Sequence, residues 1–68
     1  MMSVAKIIEI SAESAKSFED AMAQGIATAS ESLKNIRSAW ISDQKVLVDK
    51  GRITAYRVVM RVSFVLSE

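Results

Sequence analysis

The stretch "ITAYRVVMRVSFVLSE", residues 53–68, decides the fold of this chain. Its even positions, from Thr54 to Leu66, are mostly apolar, whereas its odd positions include Arg57 and Arg61. Because successive strand residues point to opposite faces, the alternation predicts one β-strand with one buried face. At about 3.3 Å per residue this strand reaches about 50 Å, whereas an average strand has about five or six residues.

A shorter strand and a helix are predicted before it. Residues 4–10, "VAKIIEI", are apolar and β-branched, which favours a first strand, and the small polar residues 11–14 end that pattern. Ser17 and Asp20 have the spacing of a capping box. An apolar stripe at spacings of three and four then predicts a helix from Ser17 to Arg37, about 30 Å long.

The second strand and a tight turn complete the pattern. Residues 38–48 favour a strand, and residues 49–52, "DKGR", predict a hairpin turn in which Gly51 takes a positive φ. Gly25 lies in a row of small residues on the helix, which we interpret as close packing on the sheet. The sequence thus predicts a single α+β domain over residues 1–68 with the order β-α-β-β, in which the first strand pairs beside the third.

Composition excludes several classes of function. The chain of 68 residues has a net charge of +1, which gives no reason to expect a nucleic acid or an acidic membrane surface as partner. It has no cysteine and no histidine, so disulfides, thiolate chemistry and His/Cys zinc sites are excluded. No nucleophile–base pair, glycine-rich phosphate loop or metal-ligand spacing is present. We therefore expect a cytoplasmic protein that is not an enzyme and has no predicted metal ligands.

The acidic residues near the helix have a structural interpretation. A paired-carboxylate site would need two of them to face one pocket. Their positions instead predict helix capping and a solvated helix face for Glu13, Glu19, Asp20 and Glu31. Carboxylates gathered on a symmetry axis would be a second way to bind a cation, but the sequence has no spacing signature for it.

Size and shape together predict self-association. A core built from fewer than about 70–80 residues contributes only a few kcal/mol, and such domains usually need further stabilisation. The predicted sheet is longer than the helix, and the odd face of the third strand has no covering element in the chain. An uncovered, partly apolar sheet is prone to aggregation unless other subunits cover it. We therefore expect an obligate homo-oligomer.

The residues quoted above resemble those of the dodecin family over essentially the whole chain. The resemblance lies in the β-α-β-β order, in "KIIEIS" before a serine-rich helix start, in "DKG", and in the ending "YRVVMRVSFVLSE". It implies a sheet partly wrapped around one helix and a hollow homododecamer. It also implies storage or buffering of a flavin, FMN or riboflavin, held in stacked pairs between subunits without turnover.

Two positions differ from the family pattern. In dodecins a tryptophan of the second strand stacks on the isoalloxazine ring, and a glutamine of the third strand bonds its polar edge. The matching positions here are Ser38 and Arg57, while the tryptophan of this chain is Trp40. Arginine donates hydrogen bonds but cannot accept one from the ring N–H. A shift of two positions along a strand leaves the indole on the same face of the sheet but moves it by about 7 Å.

Each candidate flavin-binding residue also has a structural alternative. Trp40 either stacks on flavin or packs across a subunit boundary, for example on Arg61 as a cross-strand cation–π pair. Arg57 and Arg61 either bind flavin or a ligand phosphate, or form ion pairs between subunits with Asp43, Glu9 or Glu68. Gln44 either adds a polar contact to the ligand or is solvated in the hairpin.

Two hypotheses for function remain open on the sequence alone. In the first, the protein is a dodecin-like carrier that binds flavin through Trp40, Arg57, Ser38, Gln44 and Arg61. In the second, it is a dodecin-like shell that has lost flavin and is structural or binds another anion through the two arginines.

Overall fold

The computed structural model describes residues 3–67 and has the predicted order β-α-β-β. The elements are β1 (Val4–Ser14), α1 (Phe18–Ala29), β2 (Ile36–Asp49) and β3 (Arg52–Ser67). The strands form one antiparallel sheet in the order β1-β3-β2, so β3 is central and pairs with the first strand as predicted. Glu68, a predicted ion-pair partner of Arg57 and Arg61, lies outside the described residues.

The core lies between α1 and the even face of β3. Val58, Met60 and Val62 are fully buried, as the alternation in the sequence predicted. Val58 and Met60 share a cluster with Ala21 of α1, and further apolar side chains pack around it: Ile10, Ala12, Phe18, Met22, Ile26 and Ile41. Burying one such apolar side chain stabilises the fold by about 1.5–3 kcal/mol.

β1 continues four residues beyond its predicted end. Residues 11–14 pair with residues 56–59 of β3 without a break in register. Ala12 and Ser14 point toward α1, where small side chains let the helix approach closely. The polarity of this segment predicted a loop, but its alternation in burial is that of a strand with a small-residue inner face.

α1 is shorter than predicted, because it ends at Ala29 rather than at Arg37. The chain then leaves the helix through a turn, in which the Leu33 amide donates to the Ala29 carbonyl. Asn35 adopts a positive φ of 63° and redirects the backbone. Ile36, which fits the helical spacing, instead pairs with Phe64 in the sheet. The apolar periodicity therefore continued by coincidence into the next strand.

The N-terminus of α1 is capped as the spacing predicted. The Ser17 hydroxyl accepts a hydrogen bond from the Asp20 amide at 2.9 Å. The Asp20 carboxylate makes contacts other than the one that a capping box requires. It accepts from the Ser14 hydroxyl at 2.6 Å and from the Gln24 side chain, which ties the helix start to the end of β1.

The β2–β3 hairpin turns at Lys50 and Gly51, which both have positive φ, of 53° and 78°. Positive φ at both central residues is typical of the type I′ turn that joins two-residue hairpins. Register shifts interrupt β2 between Ile36 and Ser38 and between Ile41 and Asp43. Each of these two shifts inserts one extra β2 residue opposite β3, which changes the side of the sheet on which the following residue lies. A third shift, between Leu47 and Val48, inserts one extra residue, Thr54, on β3.

The sheet is longer than the helix, as expected from the length of β3. The described chain extends 53 Å along its longest axis, whereas 12 helical residues span about 18 Å. Large apolar side chains are exposed at both ends of the sheet, such as Val48 and Ile53 near the hairpin and Val4 and Leu66 at the other end. Residues 3–67 contain no helix with the length and hydropathy needed to cross a membrane.

Candidate functional site

The side of the sheet that faces away from α1 carries most of the predicted site residues, and we call it the outer face. Directly opposite residues of paired strands share a face. By this rule the outer face includes Ile7, Glu9, Ser11 and Glu13 of β1, Arg57, Val59, Arg61 and Ser63 of β3, and Ser38, Trp40, Asp43 and Lys45 of β2. Within residues 3–67, α1 packs on the other face and leaves this one uncovered.

Trp40 is the large aromatic side chain of the outer face. It lies directly opposite Arg61, as the hairpin turn predicted, and 43% of its surface is exposed. Arg61, however, lies near Glu9 of β1, with 3.6 Å between Arg61 Nε and Glu9 Oε2. Since β1 and β2 flank β3 on opposite sides, this contact directs the guanidinium away from Trp40. The indole is therefore available to a stacking partner.

Ser38, at the position of the family tryptophan, lies beside Trp40 on the same face. Its hydroxyl oxygen is 2.6 Å from that of Ser63, directly across the strand pair. Two small hydroxyl side chains thus occupy the place where the family pattern has a large ring. The result is a low, polar patch next to an exposed indole.

Arg57 forms an ion pair with Glu13 across β1 and β3. Its Nε and Nη2 atoms donate to the same oxygen, Glu13 Oε1, at 3.0 and 2.7 Å. The sequence predicted Glu13 to be part of a solvated helix face, but β1 extends to Ser14 and carries Glu13 onto the outer face. The signal available in the sequence was the equal spacing of Glu9 and Glu13 on β1 and of Arg57 and Arg61 on β3, which antiparallel pairing brings together.

The outer face carries both positive and negative side chains. Lys45 lies opposite Arg57 on β2, and Asp43 lies opposite Val59. The directly paired residues of this face thus include three basic side chains, Arg57, Arg61 and Lys45, and three acidic ones, Glu9, Glu13 and Asp43. Of the predicted ion pairs, the one between Arg61 and Glu9 is present, and it forms within one chain rather than between subunits.

Gln44 is not grouped with the other predicted site residues. It pairs with Val58, so it lies on the helix-facing side of the sheet, whereas Trp40 and Arg57 lie on the outer face. The register shift between Ile41 and Asp43 is the physical reason, because one extra residue moves every later side chain to the other face. An exposed position in the hairpin, the structural alternative for Gln44, fits this placement.

Two depressions border the edge strand β1, and Trp40 lines neither of them. The larger, of about 440 Å³, lies between α1 and β1 and is lined by Ile10, Ser11, Ala12, Glu13, Gln24, Gly25, Thr28, Ala29 and Ser32. The smaller, of about 210 Å³, is lined by Ile7, Ile8, Glu9 and Arg61. Residues 3–67 contain no group of three acidic side chains placed to hold a metal ion.

Comparison with known proteins gives consistent matches. The family model for dodecin matches residues 4–67. Calcium dodecin of Mycobacterium tuberculosis (strain ATCC 25618 / H37Rv) is 38% identical over 63 residues, which cover 93% of this chain and 89% of the relative. Its crystal structure superposes with a TM-score of 0.80 at 40% identity, covering 91% of this chain and 89% of the other.

A dodecin from Streptomyces davaonensis superposes with a TM-score of 0.90 at 26% identity, and the match covers 97% of both chains. The whole-chain agreement in sequence pattern, strand order and three-dimensional fold leads to one conclusion. The chain belongs to the dodecin family.

Proposed function

We propose that this protein is a non-enzymatic flavin-binding protein, in which twelve copies form a shell and hold FMN or riboflavin between them. Dodecins are oligomeric assemblies that bind small ligands. One observation carries the proposal: Trp40 is an exposed indole on a sheet face that no other described element covers. A flat aromatic ligand with a polar edge fits an aromatic platform bordered by hydrogen-bonding side chains.

The spacing along β3 supports a site shared between copies. Trp40 lies opposite Arg61, and Arg57 is four residues further along the strand, about 13 Å away. Stacked rings have centroids about 4.5–7 Å apart, and hydrogen bonds are about 3 Å long. A flavin that stacks on Trp40 of one copy therefore meets the Arg57 region of another copy most easily.

A site for another anion at Arg57 and Arg61 is less well supported. Both guanidinium groups face carboxylates, at 2.7 Å for Glu13 and 3.6 Å for Glu9. A phosphate would have to compete with these carboxylates, so the two ion pairs favour the flavin ring over a phosphate as the group that meets Arg57 and Arg61.

Flavin titration with matched tryptophan variants tests the proposal. Flavin fluorescence should be quenched when riboflavin or FMN is titrated with the protein, because stacking on indole quenches it. Trp40→Leu should weaken binding about tenfold, since stacking of one base on an aromatic side chain contributes about 1–3 kcal/mol. Trp40→Phe should retain part of the affinity. Full fluorescence of both flavins at saturating concentrations of the assembled protein would contradict the proposal.

Calcium binding is a second candidate, favoured by the name of the Mycobacterium tuberculosis relative, calcium dodecin. Calcium takes about six to eight oxygen ligands. No described cluster within one chain supplies them. A calcium site would therefore gather carboxylates, such as Asp43 of the outer face, from several copies.

Calorimetric titration of chelator-treated, flavin-free protein with calcium chloride distinguishes the two candidates. Calcium binding predicts a saturable heat that Asp43→Asn reduces and Trp40→Leu leaves unchanged. Flavin binding alone predicts no saturable heat with calcium. The same preparations can then be titrated with riboflavin, so that each candidate is tested on identical material.

A further inference from the structure

The ion pair between Glu13 and Arg57 presents a donor and an acceptor side by side. Both described bonds of Arg57 end on Glu13 Oε1, so Glu13 Oε2 remains able to accept another hydrogen bond. Arginine has five N–H donors, of which two are used here. The side chains are 37% and 46% exposed, and the pair is therefore within reach of a ligand on the outer face.

We propose that Glu13 is a specificity-determining residue of the flavin site and accepts a hydrogen bond from the imide N–H of the ring. Arg57 then donates to an adjacent carbonyl oxygen. This inference rests on the proposed flavin binding. An amide side chain offers one donor group and one acceptor in a single residue, and the ion pair offers the same combination from two residues on neighbouring strands.

The second ion pair of this face provides an internal comparison. Glu9 and Arg61 make one contact of 3.6 Å and are 54% to 56% exposed, which leaves them more loosely held. Arg57 holds Glu13 through two charge-assisted hydrogen bonds of 3.0 and 2.7 Å to one carboxylate oxygen, and this contact restrains both side chains. A preorganised pair loses less conformational entropy on binding, so Glu13 is favoured over Glu9 as the recognition residue.

Riboflavin and its N3-methyl derivative test the inference, since methylation removes the imide donor. The wild-type protein should bind riboflavin about tenfold more tightly than the methylated ligand, the size expected for a hydrogen bond to a charged group. Glu13→Ala should bring this affinity ratio close to one, mainly by weakening the binding of riboflavin. Glu13→Gln keeps the shape and an acceptor oxygen but loses the charge, and should lower the ratio about threefold.

Glu9→Ala is the matched control, because it breaks the neighbouring ion pair and should leave the ratio unchanged. A wild-type ratio retained in both Glu13 variants would overturn the inference while flavin binding stands. Absence of riboflavin binding to the wild-type protein would overturn the proposed function and the inference together. Light scattering shows whether each variant assembles, and Glu13→Gln decides the question if Glu13→Ala does not fold.

Discussion

Gly25 of α1 lies against Met60 of β3 so closely that a Cβ atom on Gly25 would be 2.7 Å from Met60 Cε. The same atom would be 3.0 Å from the Cβ of Ala12 on β1. This contact sets the distance between the helix and the sheet, and it explains why a glycine interrupts the helical stripe. The interpretation of Gly25 as a close-packing residue is thus confirmed.

We expect Gly25→Ala to destabilise the protein by about 1 kcal/mol. Alanine gains about 1 kcal/mol of helix propensity, but overpacking against the fully buried Met60 costs about 1–3 kcal/mol. Urea unfolding at one fixed protein concentration measures the change, because oligomerisation makes stability concentration-dependent.

Two further variants isolate the steric effect of Gly25→Ala. Ala23→Gly, at an exposed position of α1, should cost about 1 kcal/mol through propensity alone. In a Met60→Ala background, where the clashing atom is absent, Gly25→Ala should cost less or become stabilising. A gain in stability from Gly25→Ala in the wild-type background would contradict the steric argument.

The hairpin turn predicts opposite effects for two neighbouring substitutions. Gly51→Ala should lower the free energy of unfolding by about 1 kcal/mol, because alanine is strained at the φ of 78° that Gly51 adopts. The added methyl group would meet no other atom within 4 Å, so the effect comes from the backbone alone. Lys50→Asn should raise it by about 0.5 kcal/mol, since asparagine tolerates the positive φ that Lys50 adopts. Denaturation midpoints test both, and equal signs for the two changes would rule out the strain argument.

Asp20 should make the protein less stable in acid. The hydrogen bond from Ser14 holds the pKa of Asp20 below its ordinary value; burial opposes this, and Gln24 and Lys16 add to it. Because the native pKa is the lower one, the stabilisation is fully present above the ordinary value of about 3.9 and is lost as the pH falls through the native pKa.

Thermal unfolding measured at a series of pH values from 5 downward tests how far the stability of the protein depends on Asp20. Asp20→Asn should flatten the dependence on pH, and Ser14→Ala should do so partly. Glu19→Gln removes a carboxylate of the same helical turn that accepts neither the Ser14 nor the Gln24 bond, and it should leave the slope unchanged. An unchanged acid slope in Asp20→Asn would show that another group is responsible.

Ile7 should be essential for assembly. It lies on the outer face, where it is 53% exposed within one chain, and an exposed apolar side chain of this kind is expected to be covered by another copy. Ile7→Lys places an ammonium group in that contact and should shift the protein to smaller species in light scattering. Ala27→Lys on the exposed side of α1 adds the same charge and should assemble normally. Full-size particles of Ile7→Lys would exclude this part of the face from the contact.

The amino-acid sequence determined the order of elements and the buried face of β3. The two arginines lie at odd positions while the even positions from Tyr56 to Leu66 are all apolar, and this pattern places Val58, Met60 and Val62 beneath the helix. The capping residue Ser17 and the turn glycine Gly51 were also determined locally, because both depend on backbone geometry within a few residues. The family followed from the same whole-chain pattern.

Only the tertiary structure decided which side chains meet on the outer face. The end of α1 at Ala29, the extension of β1 to Ser14 and the register shift after Ile41 all depend on pairing with β3. Because strand side chains alternate, one inserted residue is enough to remove Gln44 from the outer face, while the longer β1 adds Glu13 to it. Such long-range pairing is set by the packing of the whole sheet and is not encoded in the local spacing of residues.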